Sequence, residues 1–349
     1  MDPFIIIKIL FLAALSFIAA LLWTPVLTHF MYKYGWGKKV RPAESGAPVM
    51  SALHEHKNGT PTMGGILIWL TVLVFALGFW ALANWTDWEI FNKLNFLTRS
   101  QTWLPLFALV ASALVGMLDD IFNIKGIGSK SGGLQIRYKL LIYTAIALVA
   151  AFWFFFKLDW DLLRVPFIGD FQIGWWYIPI FTFIIVATSF SVNETDGLDG
   201  LAGGLLASSF AAFGAIAFTQ GKYDLATFCG VIVGALLAFL WFNINPARFF
   251  MGDTGSMSLG VTLGIVAMLT NSSLLLPIIG FLFVLEALSV IIQLTSKKLF
   301  KKKVFISTPI HHHLEALGWI ECKIVMRFWL IASVMAVIGV IISLMDKIY

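Results

Sequence analysis

The sequence predicts an all-α polytopic membrane protein, and three observations carry that prediction. The 349 residues are 59% hydrophobic and only 12% charged, with a mean hydropathy of +0.88, outside the balance of soluble domains. About ten stretches approach the roughly 20 apolar residues that a bilayer-spanning helix needs. The lysines and arginines concentrate on alternate connections between those stretches, the pattern that orients helices with basic loops in the cytoplasm.

The spans are expected near 4–30, 63–83, 102–118, 138–156, 175–192, 201–219, 225–242, 257–270, 275–295 and 328–345, within a single domain over residues 1–349. The first is too long for a signal peptide and lacks a small-residue cleavage site, so it reads as a retained helix. Cys229 and Cys322 lie far apart and suggest neither a disulfide framework nor a zinc site. With the N-terminus outside, seventeen of the 24 basic residues fall on odd-numbered connections and six on the opposite side. That bias puts both termini on the outer, periplasmic side.

The same sorting puts every polar cluster on the cytoplasmic side. The first loop holds His54 to Gly65, in which Gly59 and Pro61 suit a turn. Lys57 with Thr60 and Thr62 could hold an anionic or nucleotide ligand, although no Gly-Lys-Ser/Thr ending makes it a Walker A loop. Asp119-Asp120 ends the third span, with Lys125, Lys130, Arg137 and Lys139 following. Adjacent carboxylates repel unless a cation or proton separates them, and the lysines can keep both ionised while contacting phosphate.

Between two apolar runs lies Asn193-Glu194-Thr195-Asp196-Gly197-Leu198-Asp199-Gly200-Leu201. An Asp at the centre of a bilayer helix costs about 2.5–3.5 kcal/mol, so this cluster belongs at a boundary or beside a wet cavity. Asn193, Asp196, Gly197 and Gly200 recur at helical spacing and are expected on one face; a turn capped by Asp196 or Asp199 is the plainer alternative. Trp241 to Ser256 then brings Asn243, Phe249, Phe250 and Asp253. Asp253 precedes an apolar run, where it suits either an N-cap or a hard oxygen ligand facing the other carboxylates. Phe249 and Phe250 read as membrane anchors unless they line the same cavity.

Glu286, Ser289 and Gln293 share a helix face, with Glu286 expected to serve an interhelical role and Gln293 near enough to the cytoplasmic end to reach a ligand. The basic run from Lys297 to Lys303 suits anionic headgroups. His311-His312-His313 fits diphosphate binding or proton transfer better than structural zinc. There is no serine or cysteine nucleophile motif. Hard carboxylates on one side of a membrane suit Mg²⁺ or Mn²⁺, and with lysines nearby they point to phosphoryl transfer onto a lipid phosphate.

Gly59-Thr60-Pro61-Thr62-Met63-Gly64-Gly65, Asp119-Asp120, Asn193 to Leu201, Phe250-Met251-Gly252-Asp253 and Pro309 to His313 strongly resemble the phospho-N-acetylmuramoyl-pentapeptide transferase family. That family belongs to the polyprenyl-phosphate N-acetylhexosamine-1-phosphate transferases, and the resemblance covers essentially the whole chain. It implies transfer of phospho-MurNAc-pentapeptide from UDP-MurNAc-pentapeptide to undecaprenyl phosphate, by a Mg²⁺-dependent homodimer in a bacterial inner membrane, with no nucleic-acid partner. It also implies residue roles. Asp253 would be the Mg²⁺ ligand, Asp119 the base toward the lipid phosphate, Asp120 a support and His312 a further catalytic group. Lys57, Thr62, Asn193, Asp196, Gly197, Leu198, Asp199, Asn243 and Phe250 would surround the nucleoside and sugar phosphate. Lys125, Lys139, Ser256, Gln293, His311 and His313 would complete the substrate site. Glu194, Tyr143 and Arg248 depart from the family pattern and bear on local charge and substrate preference. A sister sugar-1-phosphate transferase and an ion-coupled transporter are the competing readings; one-sided acidic clusters and the lack of an internal repeat weigh against the transporter.

Overall fold

A computed structural model describes residues 3–37, 57, 59–99, 101–128 and 133–348. Lys130 and, from the first loop, His54 to His56 and Asn58 lie outside these residues, as do the basic residues Lys38, Lys39 and Arg41 of the first connection. The chain forms α1 (Pro3–Lys33), α2 (Gly65–Trp85), a short α3 (Glu89–Leu94), α4 (Trp103–Lys125) and α5 (Ile136–Lys157). After a β-hairpin come α6 (Tyr177–Thr195), α7 (Leu201–Thr219), α8 (Tyr223–Asn243) and α9 (Asp253–Leu269). The chain finishes with α10 (Leu276–Ile279), α11 (Phe281–Leu299), α12 (Ile310–Ala316) and α13 (Glu321–Met345).

Each expected span coincides with one helix or, for 275–295, with a bent pair. Among the described residues, eight helices are long and apolar enough to cross a membrane. The pair α10–α11 bends by 82° at Gly280, where Pro277 and the glycine interrupt the apolar run. At 17 residues α9 is shorter than each of those eight, about 25 Å long. It needs no lipid-facing surface, because every residue after Asp253 is buried among α2, α4, α6 and α7. Its hydroxyls turn back on the helix: Ser258 Oγ donates to Thr254 O and Thr262 Oγ1 to Ser258 O, both at 2.7 Å. Small residues permit the close packing. A Cβ on Gly116 would collide with the backbone of Asp253, and one on Gly65 with the backbone of Gly255.

Two details differ from expectation, one of them from the all-α fold class. A two-stranded antiparallel hairpin, β1 (Leu162–Val165) and β2 (Gly169–Gln172), occupies the connection between α5 and α6, with Leu162 opposite Gln172 and Val165 opposite Gly169. Phe249 is not a membrane anchor. It is fully buried, with its ring 5.8 Å from Phe239 and 5.9 Å from Phe242. Chain direction sorts the remainder. The C-terminal ends of α4, α6 and α8 meet the N-terminal ends of α7, α9 and α13 at one end of the bundle. The hairpin and the far ends of α7, α9 and α13 lie at the other.

Candidate active site

The site is built where α9 begins. The loop residue Gly252 has φ +72°, and a Cβ there would press on Asp120 Oδ2 and Thr62 Oγ1, so only glycine fits without strain. The first amides of a helix lack intrahelical acceptors. Here Asp120, reaching across from α4, supplies them: its Oδ1 accepts from Asp253 N at 3.1 Å and its Oδ2 from Thr254 N at 3.0 Å. Asp120 therefore acts as a cap delivered from another helix, favoured both by hydrogen bonding and by the positive end of the helix dipole. Asp196 adds a second tie, accepting from Gly252 N at 3.2 Å.

That cap frees the Asp253 side chain. Lys139, from the first turn of α5, contacts Asp253 Oδ2 and lies 2.6 Å from Asp119 Oδ2. Asp119 Oδ1 also accepts from Leu134 N. On the other side of Asp253, Asn193 Nδ2 donates to Oδ1 at 2.8 Å and to Ser256 Oγ at 2.9 Å. One ammonium thus bridges two carboxylates drawn from different helices, with a third carboxylate adjacent through the helix cap. Thr62 Oγ1 is buried beside this cluster and has no hydrogen-bond partner among the described residues.

A second ion network forms the neighbouring wall. Lys57 Nζ lies 2.7 Å from Asp199 Oδ1 and 2.6 Å from Glu321 Oε1. Asp199 Oδ2 accepts from Asn245 Nδ2 and Ala247 N at 3.0 and 3.1 Å, and its own amide donates to Glu321 Oε1 at 2.6 Å. Asn243 locks the same corner, accepting from Gly200 N at 2.9 Å and donating to Phe249 O at 2.8 Å. Leu198, next to Asp199 in the chain, is buried. The Phe250 ring lies 5.9 Å from Lys57 Nζ, a cation–π distance.

The histidine run divides three ways. His311 is fully buried with Nδ1 3.0 Å from Glu286 Oε2, and its Nε2 fills the space a Cβ on Gly197 would take. Burial opposes protonation of His311, but the carboxylates of Glu286, Glu315 and Glu194 outweigh it and hold its pKa above the ordinary imidazole value. His312 pairs with Glu315 at 2.7 Å. His313 Nδ1 accepts from Ile306 N at 3.3 Å. Glu286 thus plays the interhelical part expected of it.

Several expectations change on this geometry. The stretch from Asn193 to Gly200 is not one helix face: α6 ends at Thr195, and Gly200, at φ +82°, starts a new helix. Gln293 does not point to a ligand, because it clamps the backbone of residues 304 and 305 with three bonds of 2.9–3.0 Å. Lys125 is exposed at the end of α4 and forms no ion pair among the described residues. Arg248, which departs from the family pattern, is exposed over the Phe242 ring, 5.7 Å from its centroid. Glu321 and Asn245 were not singled out in the sequence. An acidic residue in the first turn of the last helix was the only signal for Glu321, and its dipole role hides the pairing.

Among the described residues no three His, Cys, Asp or Glu side chains are arranged to hold a metal. Asp119 and Asp253 nevertheless fit Mg²⁺ in their chemistry. They are hard oxygen donors converging on one cation, and Mg²⁺ takes one or two carboxylates and fills its remaining positions with water and substrate phosphate.

Known proteins resemble the chain along most of its length. A family model described as glycosyl transferase family 4 matches residues 102–271. A signature of phospho-N-acetylmuramoyl-pentapeptide-transferase matches residues 57–68. The transferase of that name from Chloroflexus aggregans is 39% identical over 350 residues, covering 97% of this chain and 90% of that protein. Its namesake from Geobacillus thermodenitrificans is 38% identical, covering 95% and 96%, and that from Bacillus subtilis is 38% identical, covering 96% and 98%.

Proposed function

This chain belongs to the phospho-N-acetylmuramoyl-pentapeptide transferase family, and from that premise we propose that it carries out the first membrane step of peptidoglycan synthesis. It transfers phospho-MurNAc-pentapeptide from UDP-MurNAc-pentapeptide to undecaprenyl phosphate. A phosphate oxygen of the lipid attacks the phosphorus that carries the sugar, a new P–O–P bond forms, and the old diphosphate bond breaks with its electron pair leaving on UMP. The products are UMP and lipid I. The chain acts as one domain with ten spans, counting the bent pair and the buried α9 as one each. Both termini lie outside, and the site faces the cytoplasm of a bacterial inner membrane. It works as a homodimer and without nucleic acid.

The observation that carries this reading is the Lys139 ammonium held between Asp119 and Asp253 at the capped start of α9. When bound, Mg²⁺ would be held by Asp253 with Asp119 beside it, and would neutralise diphosphate charge. Asp119 takes the proton from the lipid phosphate, as a base held in place by Leu134 N–H and Lys139. Lys139 offsets the repulsion between the two carboxylates and presents positive charge to the migrating phosphate. Asp120 holds the start of α9 so that Asp253 keeps its aim. Asn193 and Ser256 orient Asp253. Lys57, Asp199 and Asn243 form the rigid wall against which the nucleotide sits, with Thr62, Asp196, Gly197, Leu198 and Phe250 along it. His311 ties α12 to Glu286 and Gly197, while His312, paired with Glu315, is assigned the proton-transfer role and His313 a substrate contact. We favour direct attack over a covalent Asp253 intermediate, because a carboxylate shared with a cation is a poor nucleophile.

The test is incubation of the purified protein with Mg²⁺, undecaprenyl phosphate and competing UDP-sugars. UMP release from UDP-MurNAc-pentapeptide is expected. Release from UDP-GlcNAc alone would assign the sister reaction instead.

A further inference from the structure

The end of the bundle opposite the carboxylates holds a cavity of about 690 Å³ that the transferase reaction does not use. It lies under the hairpin, between the far ends of α7, α9 and α13. Its charged lining comprises Arg164, Lys222 and Lys347 against Asp170 and Asp346, an excess of one positive charge. Asp346 is already committed, because Arg164 Nε donates to its Oδ2 at 2.5 Å and Phe167 N to its Oδ1 at 2.7 Å. Asp170 is spread between Arg164 Nη1 and Asn271 Nδ2, both at 3.2 Å.

The two lysines are anchored rather than neutralised. Lys222 Nζ donates to Leu269 O at 2.6 Å, at the end of α9, and lies 5.3 Å from the centre of the Trp160 ring. Lys347 Nζ donates to Thr219 O at 2.5 Å, at the end of α7. Carbonyls at helix C-termini favour these cations, but each ammonium has three donors and neither meets a carboxylate among the described residues. The cations also oppose one another. Burial first, then Lys347, pulls the pKa of Lys222 down to about 8, and burial, then Arg164, lowers that of Lys347. In the same wall the indole N–H of Trp160 is buried with no acceptor among the described residues. Crowded cations and a spare donor call for an acceptor that carries negative charge.

We infer that this cavity binds a singly charged phosphate group, held by Lys222, Lys347 and the Trp160 N–H. A phosphate diester balances the excess charge and satisfies donors that Asp346 cannot reach. The rim indicates where such a group arrives from. Phe167, Ile168 and Phe171 of the covering hairpin, and Trp175 and Trp176 just after it in the chain, are exposed, and tryptophans gather at the boundary between membrane and water. An anionic phospholipid headgroup and free phosphate share the chemistry, and the experiment separates them.

The full chain in neutral detergent is titrated with phosphatidylglycerol, phosphatidylcholine or inorganic phosphate, with native mass spectrometry and thermal unfolding as readouts. Phosphatidylglycerol is expected to bind in preference to phosphatidylcholine. Lys347→Gln should weaken it about tenfold, the size of one lost charge-assisted hydrogen bond. Asp170→Asn removes a competing carboxylate and should tighten binding severalfold, a gain that misfolding does not produce. Saturation by inorganic phosphate without a phosphatidylglycerol preference would assign the site to free phosphate. The site is overturned if no probe binds selectively, or if binding is the same in the wild type, Lys347→Gln and Asp170→Asn.

Discussion

Two lysines anchor the two halves of the candidate active site, and their surroundings differ in one respect. Lys57 sits in a closed network: both of its carboxylate partners, Asp199 and Glu321, are held in turn by Asn245 and backbone amides. Lys139 sits in an open one, with its side chain 19% exposed and Asp253 14% exposed, against 8% and 4% for Lys57 and Asp199. A network whose polar atoms are all used resists change, whereas one that shares a single ammonium between two carboxylates can exchange partners with phosphate or a cation. The closed half is architecture, and the open half is where chemistry has room.

Substitutions on the two sides should therefore fail differently. Asp253→Asn is expected to cut transfer by about 10²–10³-fold, the usual loss when one group aimed at transition-state charge is removed. Its thermal unfolding should stay near wild type, since Lys139 keeps Asp119 and Asn193 keeps a partner at Oδ1. Lys57→Met should do the reverse first. It strands the buried Asp199 and the partly buried Glu321 and should destabilise the fold by about 3 kcal/mol, read as a drop in unfolding temperature. An equal loss of stability at both positions would erase the distinction between the two halves.

Asp120→Ala probes the hinge between them. Losing the cap of α9 should cost about 1–2 kcal/mol and slow transfer through a misaimed Asp253, with Asp120→Asn restoring part of both. The smallest effect concerns His311 on the closed side. Its folded pKa is raised, so its ion pair with Glu286 adds stability that is fully present below the ordinary imidazole pKa of about 6.5. That contribution fades as pH rises through the elevated folded value. The stability difference between wild type and His311→Asn should therefore shrink toward alkaline pH in unfolding curves; a constant difference would mean that His311 acts by packing alone.

Much of this could be read along the chain because a membrane makes polar residues expensive. Asp119, Asp120 and Asp253 stand out against apolar runs, and their side of the bundle follows from the basic loops. Partnerships were less visible. The contact between Lys139 and Asp253 joins residues 114 apart, and only folding shows that Lys139, rather than Lys125, reaches the carboxylates. Asp120 looked like half of a ligand pair but spends its oxygens on another helix's amides. Gln293 and Glu321 exchanged apparent importance for the same reason: a helical position specifies a face, not the loop that folds over it. The hairpin escaped because its four-residue strands are too short to show a clear alternation.

The most direct test pairs one assay with one fold control. Wild-type protein and Asp253→Asn, matched for thermal unfolding, are given Mg²⁺, undecaprenyl phosphate and UDP-MurNAc-pentapeptide, and UMP and lipid-linked product are counted together. The two products should appear in equal amounts with wild type and nearly vanish with Asp253→Asn. Wild-type rates from a folded Asp253→Asn would contradict the placement of the chemistry at the start of α9.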